Sequence, residues 1–118
     1  MLFRSPSLLR SRQAANEAAA VANLRTINTA QVAYLSSKGK YGEMRELIDF
    51  GLLDSRFLAT ISGYDYTVRL EARDYVATAT PASTNTGRYE YYSTPDAVVR
   101  YSADPNRAPT NQAGSPVY

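Results

Sequence analysis

The chain contains no cysteine, no histidine and no tryptophan. The first absence excludes disulfide frameworks, cysteine nucleophiles and thiolate metal sites. The second excludes a histidine general base and any Ser-His-Asp triad. No Gly-rich phosphate loop is present. The acidic pairs Glu43 with Glu46 and Asp65 with Glu71 read as solvated surface rather than as catalytic carboxylates. The sequence therefore predicts no enzyme, no catalytic residue and no cofactor. No run approaches the ~18 consecutive apolar residues of a membrane span. Arg4 and Arg10 interrupt the apolar residues at the start, so no signal-peptide pattern stands there. Neither sign of charge dominates, because the formal net charge is +2.

What is present is divided sharply along the chain. Its 118 residues suit one small domain. From Ser7 to Ser36 there is no glycine and no proline, and helix formers prevail. Ser5 is the expected N-cap, and Pro6 suits the first helical position. Ala20, Leu24, Ile27, Val32, Tyr34 and Leu35 approximate one apolar stripe. Arg12, Asn16, Asn23 and Asn28 are expected on the opposite face. Such a helix is roughly 45 Å long at ~1.5 Å per residue. A domain of this size spans ~25–30 Å, so one helix end must project or pack elsewhere.

Residues 1–36 thus form the helix, and residues 37–63 read as a loop with short helices. Within that loop Glu43 to Phe50 looks helical, Gly51 breaks it, and Asp54 is placed to cap a turn through Leu58. Residues 64–103 read as an antiparallel meander of three or four strands. Tyr64 to Glu71 alternates, and Ala72-Arg73 makes the turn. Asp74 to Thr80 puts Tyr75, Ala77 and Ala79 on one face. Arg88 to Ser93 and Ala97 to Ser102 supply the remaining strands. Residues 104–118 are a Pro-rich tail with the composition of disorder, and Val117-Tyr118 could anchor it. The whole predicts a single α+β domain, a long helix packed on a sheet.

Residues 6–35 resemble the membrane-proximal helix of type IV pilins and type II secretion pseudopilins. Two segments carry the resemblance: Pro6-Ser7-Leu8-Leu9-Arg10-Ser11-Arg12-Gln13-Ala14-Ala15-Asn16-Glu17-Ala18 and Asn23-Leu24-Arg25-Thr26-Ile27-Asn28-Thr29-Ala30-Gln31. The order of helix, connecting loop, sheet and tail is similar as well. The resemblance implies a pilin-like fold and a structural subunit of an extracellular filament on a bacterial surface. Such a subunit is a homo-oligomer in a helical array, held in the inner membrane or periplasm before assembly. Pro6, Leu8, Leu9, Ala15, Ala19 and Leu24 are then expected to pack helices together. Arg10, Arg12 and Glu17 are expected to make contacts between subunits, or the arginines to face anionic lipid. Three arginines in a nearly balanced chain make nucleic acid a minor alternative partner.

The chain departs from that family where a leader, a cleavage site and about twenty apolar residues would precede Pro6. Three accounts fit: a truncated chain, a start placed too late, or a split pilin whose missing helix comes from a separate short apolar chain. Leu2, Phe3, Leu8 and Leu9 would offer that helix a place to dock. The family's major pseudopilins bind calcium in an Asp- and Gly-rich loop. Asp96 and Asp104 stand isolated here, so no metal site is expected. A reading from another class rests on tyrosine, of which there are ten against three phenylalanines. Tyr89, Tyr91 and Tyr92 could form the recognition surface of a soluble exported binding domain. The competing account of these rings is cross-strand packing.

Overall fold

The structure is a computed structural model that describes residues 6–102 and 115–116. The expectations for Met1 to Ser5, the cap at Ser5 among them, lie outside the described residues, as does most of the tail. Helix α1 runs Pro6–Lys38 without interruption. It stops at Gly39, whose φ of 73° closes the last turn through a 2.8 Å bond from its N–H to the Leu35 carbonyl. Glycine takes that left-handed position without a Cβ penalty. Helix α2, Met44–Asp49, begins where the Glu46 carboxylate accepts the Glu43 N–H at 2.9 Å. A 3-10 turn follows over Ser55–Leu58, and the Asp54 carboxylate caps it by accepting the Arg56 N–H at 2.8 Å.

The strands are β1 Tyr64–Glu71, β2 Asp74–Pro81, β3 Glu90–Ser93, β4 Val99–Ser102 and β5 Ser115–Pro116. They form an antiparallel meander in sequence order. The core is thus four strands, with the two-residue β5 added beside β4. The fold is the expected α+β arrangement of one long helix packed on this sheet. The β1–β2 register is complete from Tyr64↔Pro81 to Glu71↔Asp74 across the Ala72-Arg73 turn. Two strand starts differ from the sequence reading. Arg88 and Tyr89 precede β3, because Glu17 holds the Arg88 N–H on the helix instead of leaving it to a ladder. Ala97 and Val98 precede β4, because Asp96 accepts the Val98 N–H at 3.0 Å and Ala97 bonds back to Thr94.

The core lies between α1 and the inner sheet face. Tyr64, Tyr66, Tyr75 and Tyr91 surround Ala77 and Ala79 at the centre of the sheet. The small alanines leave room for Leu24 and Ile27, which are fully buried. Leu47, Leu53 and Phe57 close one end. Each buried aromatic ring or leucine contributes roughly 1.5–3 kcal/mol by leaving water.

Two residues assigned to the apolar stripe are not in it. Val32 is 64% exposed and Leu35 is exposed as well. The buried face instead steps through Gln13, Glu17, Ala20, Leu24, Ile27, Gln31 and Tyr34, by fours and threes. Asn28 also lies inside, contrary to its expected place on the opposite face. Asn16 and Asn23 are half-buried and used. They donate to the Thr86 carbonyl at 3.0 Å and to the Tyr66 hydroxyl at 2.9 Å. Only Arg12 of that group is exposed.

Candidate functional site

Two faces of α1 matter, and they lie opposite one another. The inner face alternates polar and apolar anchors. Gln13 donates to the Thr84 carbonyl at 3.2 Å. Glu17 accepts the Arg88 backbone N–H at 2.7 Å, its Nε at 3.1 Å and its Nη2 at 2.8 Å. The Asn28 Oδ1 accepts the Tyr75 hydroxyl at 2.6 Å and the Ser93 hydroxyl at 2.9 Å. Gln31 and Gly42 exchange two bonds, at 2.8 and 2.9 Å. A buried polar group without a partner is costly, and these polar side chains meet partners only in one register of helix on sheet. The series was legible in principle, since Gln13, Glu17 and Gln31 share the three-and-four spacing of Leu24 and Ile27. Reading the stripe from apolar residues alone missed it.

The outer face runs Leu8, Ser11, Ala15, Ala18, Ala22, Arg25, Thr29 and Val32, all exposed. The steps again alternate three and four, so this is a straight stripe along the helix. Ser11 to Ala22 make it small-sided, Arg25 interrupts it with a charge, and its two ends are apolar. Leu8, 60% exposed, marks one end and Val32 the other. The helix spans about 50 Å at 1.5 Å per residue, against principal extents of 56 × 29 × 22 Å for the molecule. Among the side chains described, Gln13 is the first that is buried, and Leu9 is half-buried one turn earlier.

The structure separates the expected assembly residues into two groups. Pro6 begins the helix. Leu8, Arg10, Arg12 and Ala15 are exposed, and Leu9 and Ala19 are half-buried. Arg10 and Arg12 make no ion pair with any described residue. Glu17 and Leu24 face inward: the first is spent on Arg88 of its own chain and the second is fully buried. They are corrected to residues of the domain core. The Glu17 carboxylate also holds the Arg88 guanidinium above its ordinary value, first through their hydrogen bonds.

The tyrosine surface is corrected as well. Tyr92 is completely buried and Tyr91 nearly so, while Tyr89 is half-buried. Tyr91 packs 6.1 Å from Tyr64 on the inner side, and the Tyr64 hydroxyl donates to the Tyr89 carbonyl at 2.7 Å. Packing claims the rings that recognition would have needed. A cleft of about 540 Å³ lies where the end of α1 meets the β1–β2 turn, with Leu35, Lys40, Tyr41, Leu70 and Arg73 among its walls. Among the described residues no helix is long and apolar enough to cross a membrane. Comparison with protein-family models, curated proteins and solved structures finds no match for this chain.

Proposed function

We propose that this chain is a structural subunit of a type IV pilus-like filament, assembled by packing helices on the outer face of α1. One observation carries the reading: a straight, solvent-exposed stripe runs from Leu8 to Val32 along a helix of 33 residues, on the side away from the sheet. Ser11, Ala15, Ala18 and Ala22 allow close helix approach, and Leu8 and Val32 supply apolar area at the ends. The sheet, packed on the opposite side of α1, is then turned outward. Leu8 and Leu9 receive the preceding apolar helix, whether that helix is joined to this chain or supplied by a separate short one. Arg10 and Arg12 face acidic groups of neighbours, or lipid headgroups before assembly. The subunit works at the bacterial surface after passing through the inner membrane or periplasm. It has no catalytic role, and nucleic acid remains a minor alternative partner.

The test is incorporation. Ala18→Glu places a charge in the middle of the stripe at an exposed position. The expected result is an unchanged melting curve and loss of the subunit from filaments sheared from the source cells. Normal incorporation of Ala18→Glu overturns the helix-packing reading. Mass spectrometry of the recovered subunit's N-terminus distinguishes a joined apolar helix from a separate one. The binding-domain alternative is not retained, because two of its three tyrosines are buried.

A further inference from the structure

We propose that the free edge of β1 is a self-complementary surface through which two copies of this chain pair, antiparallel, about Val68. The argument starts from backbone direction. Tyr64 exchanges both its N–H and its C=O with Ile61, at 3.0 and 2.9 Å, while the neighbouring Gly63 carbonyl accepts from Ala82 on the β2 side. Backbone groups alternate sides along an antiparallel strand. The N–H and C=O groups of Tyr66, Val68 and Leu70 therefore point away from β2. No described residue bonds them.

The open stretch has two stops. Ile61 covers the edge at Tyr64, and the Ala72-Arg73 turn ends the strand beyond Glu71. What remains is the window from Tyr66 to Leu70. An antiparallel copy fills that whole window in one register, with Val68 opposite Val68 and Tyr66 opposite Leu70. This register joins all six free groups of each copy. It sets Thr67 opposite Arg69, so no like charges face each other within the window. Just outside it the same register sets Asp65 opposite Glu71, carboxylates that Thr60 and Arg69 of their own chains already hold, and this like-charged pairing at both margins keeps the contact weak. The register also covers Leu70, which is left 38% exposed. Registers one step either way use fewer of the free groups, and the one centred on Arg69 sets two arginines face to face.

The contact is isologous, the same patch on both copies. It is small, so the pair is weak and concentration-dependent. It does not rest on the filament reading, because it uses no residue of α1 and forms in solution. Edges of this kind are ready templates for a further strand.

The absence of native cysteine makes a single-cysteine scan clean. Thr67→Cys, Val68→Cys, Arg69→Cys and Leu70→Cys are oxidised in turn at high protein concentration, beside Ser36→Cys on the exposed end of α1 as control. Disulfide-linked dimer is expected to peak at Val68→Cys, whose Cα atoms would face each other at about 5.5 Å. A charge swap gives a second readout at two exposed positions. Thr67→Lys weakens self-association by roughly three- to tenfold in sedimentation, from two new like-charged pairs. Adding Arg69→Glu restores it. A maximum at Thr67→Cys or Arg69→Cys, or crosslinking no greater than the control anywhere in the window, overturns the proposal.

Discussion

At the residue scale, the helix is defined by what its polar side chains hold. Glu17 bonds three donors of a single residue, Arg88, and one of them is a backbone N–H. Glu17→Ala is expected to lower unfolding free energy by about 2 kcal/mol, the size of a few charge-assisted bonds partly replaced by water. Arg12→Ala, on the exposed face, should stay within about 0.5 kcal/mol. Denaturant unfolding of both variants checks the contrast. Gly87 is a second residue-scale constraint, since a methyl there would overlap the Tyr64 hydroxyl and ring. Gly87→Ala is expected to cost about 1–3 kcal/mol by forcing that ring aside. Neither effect is legible from sequence. Both depend on residues seventy-one and twenty-three positions apart in the chain meeting in space. The polar spacing of Gln13, Glu17 and Gln31 was visible, but apolar counting hid it.

At the element scale, local chemistry made most of the fold readable. The glycine stop at Gly39, the Asp54 cap and the alternation of β1 and β2 are each set by residues within a few positions of one another. The starts of β3 and β4 were misplaced because side chains there capture backbone groups. Asp96 is the clearest case. Burial opposes its ionisation, yet bonds from Arg100, the Val98 N–H and the Thr94 hydroxyl outweigh it and hold the carboxyl below its ordinary value. Glu46 is held low too, chiefly by the Glu43 N–H. A depressed carboxyl contributes fully above about pH 4 and loses that contribution as pH falls through its folded value. Stability is therefore expected to fall on acidification below pH ~4. Asp96→Asn should flatten part of that slope, as read by melting temperature against pH. An identical acid slope in the variant would remove Asp96 from the account.

At the scale of the whole molecule, tyrosine does the work that leucine and phenylalanine do in other cores. Burial, and then the nearby Glu17 charge, push the Tyr91 phenol up to about 12. Burial also raises Tyr64 and Tyr75. A raised phenol supports the fold fully below its ordinary value near pH 10 and loses that support as pH climbs through the folded value. Phenolate absorbance from Tyr64, Tyr75 and Tyr91 should therefore rise only together with loss of the fold. Titration of all ten tyrosines near pH 10 with the circular dichroism intact would contradict the packing described here. The layered arrangement was legible from periodicity and from the length of the helix. The placement of Tyr91 and Tyr92 was not, because a tyrosine-rich strand reads the same whether its rings face a core or a ligand. Removing residues 1–12 takes away no buried side chain among those described. That shortened chain should fold with its stability within about 1 kcal/mol of the parent, and on the proposed filament role it should fail to enter filaments.

The anchors from Gln13 to Gln31 are distributed along about 27 Å of helix axis at 1.5 Å per residue. A pull along that axis, of the kind a filament under tension delivers, loads them together in shear rather than peeling them one after another. Their rupture should be a single high-force event. Tension drawn across the β1–β2 hairpin instead opens its ladder pair by pair, at lower force. The globular part is thus expected to resist more force along its helix than across its hairpin.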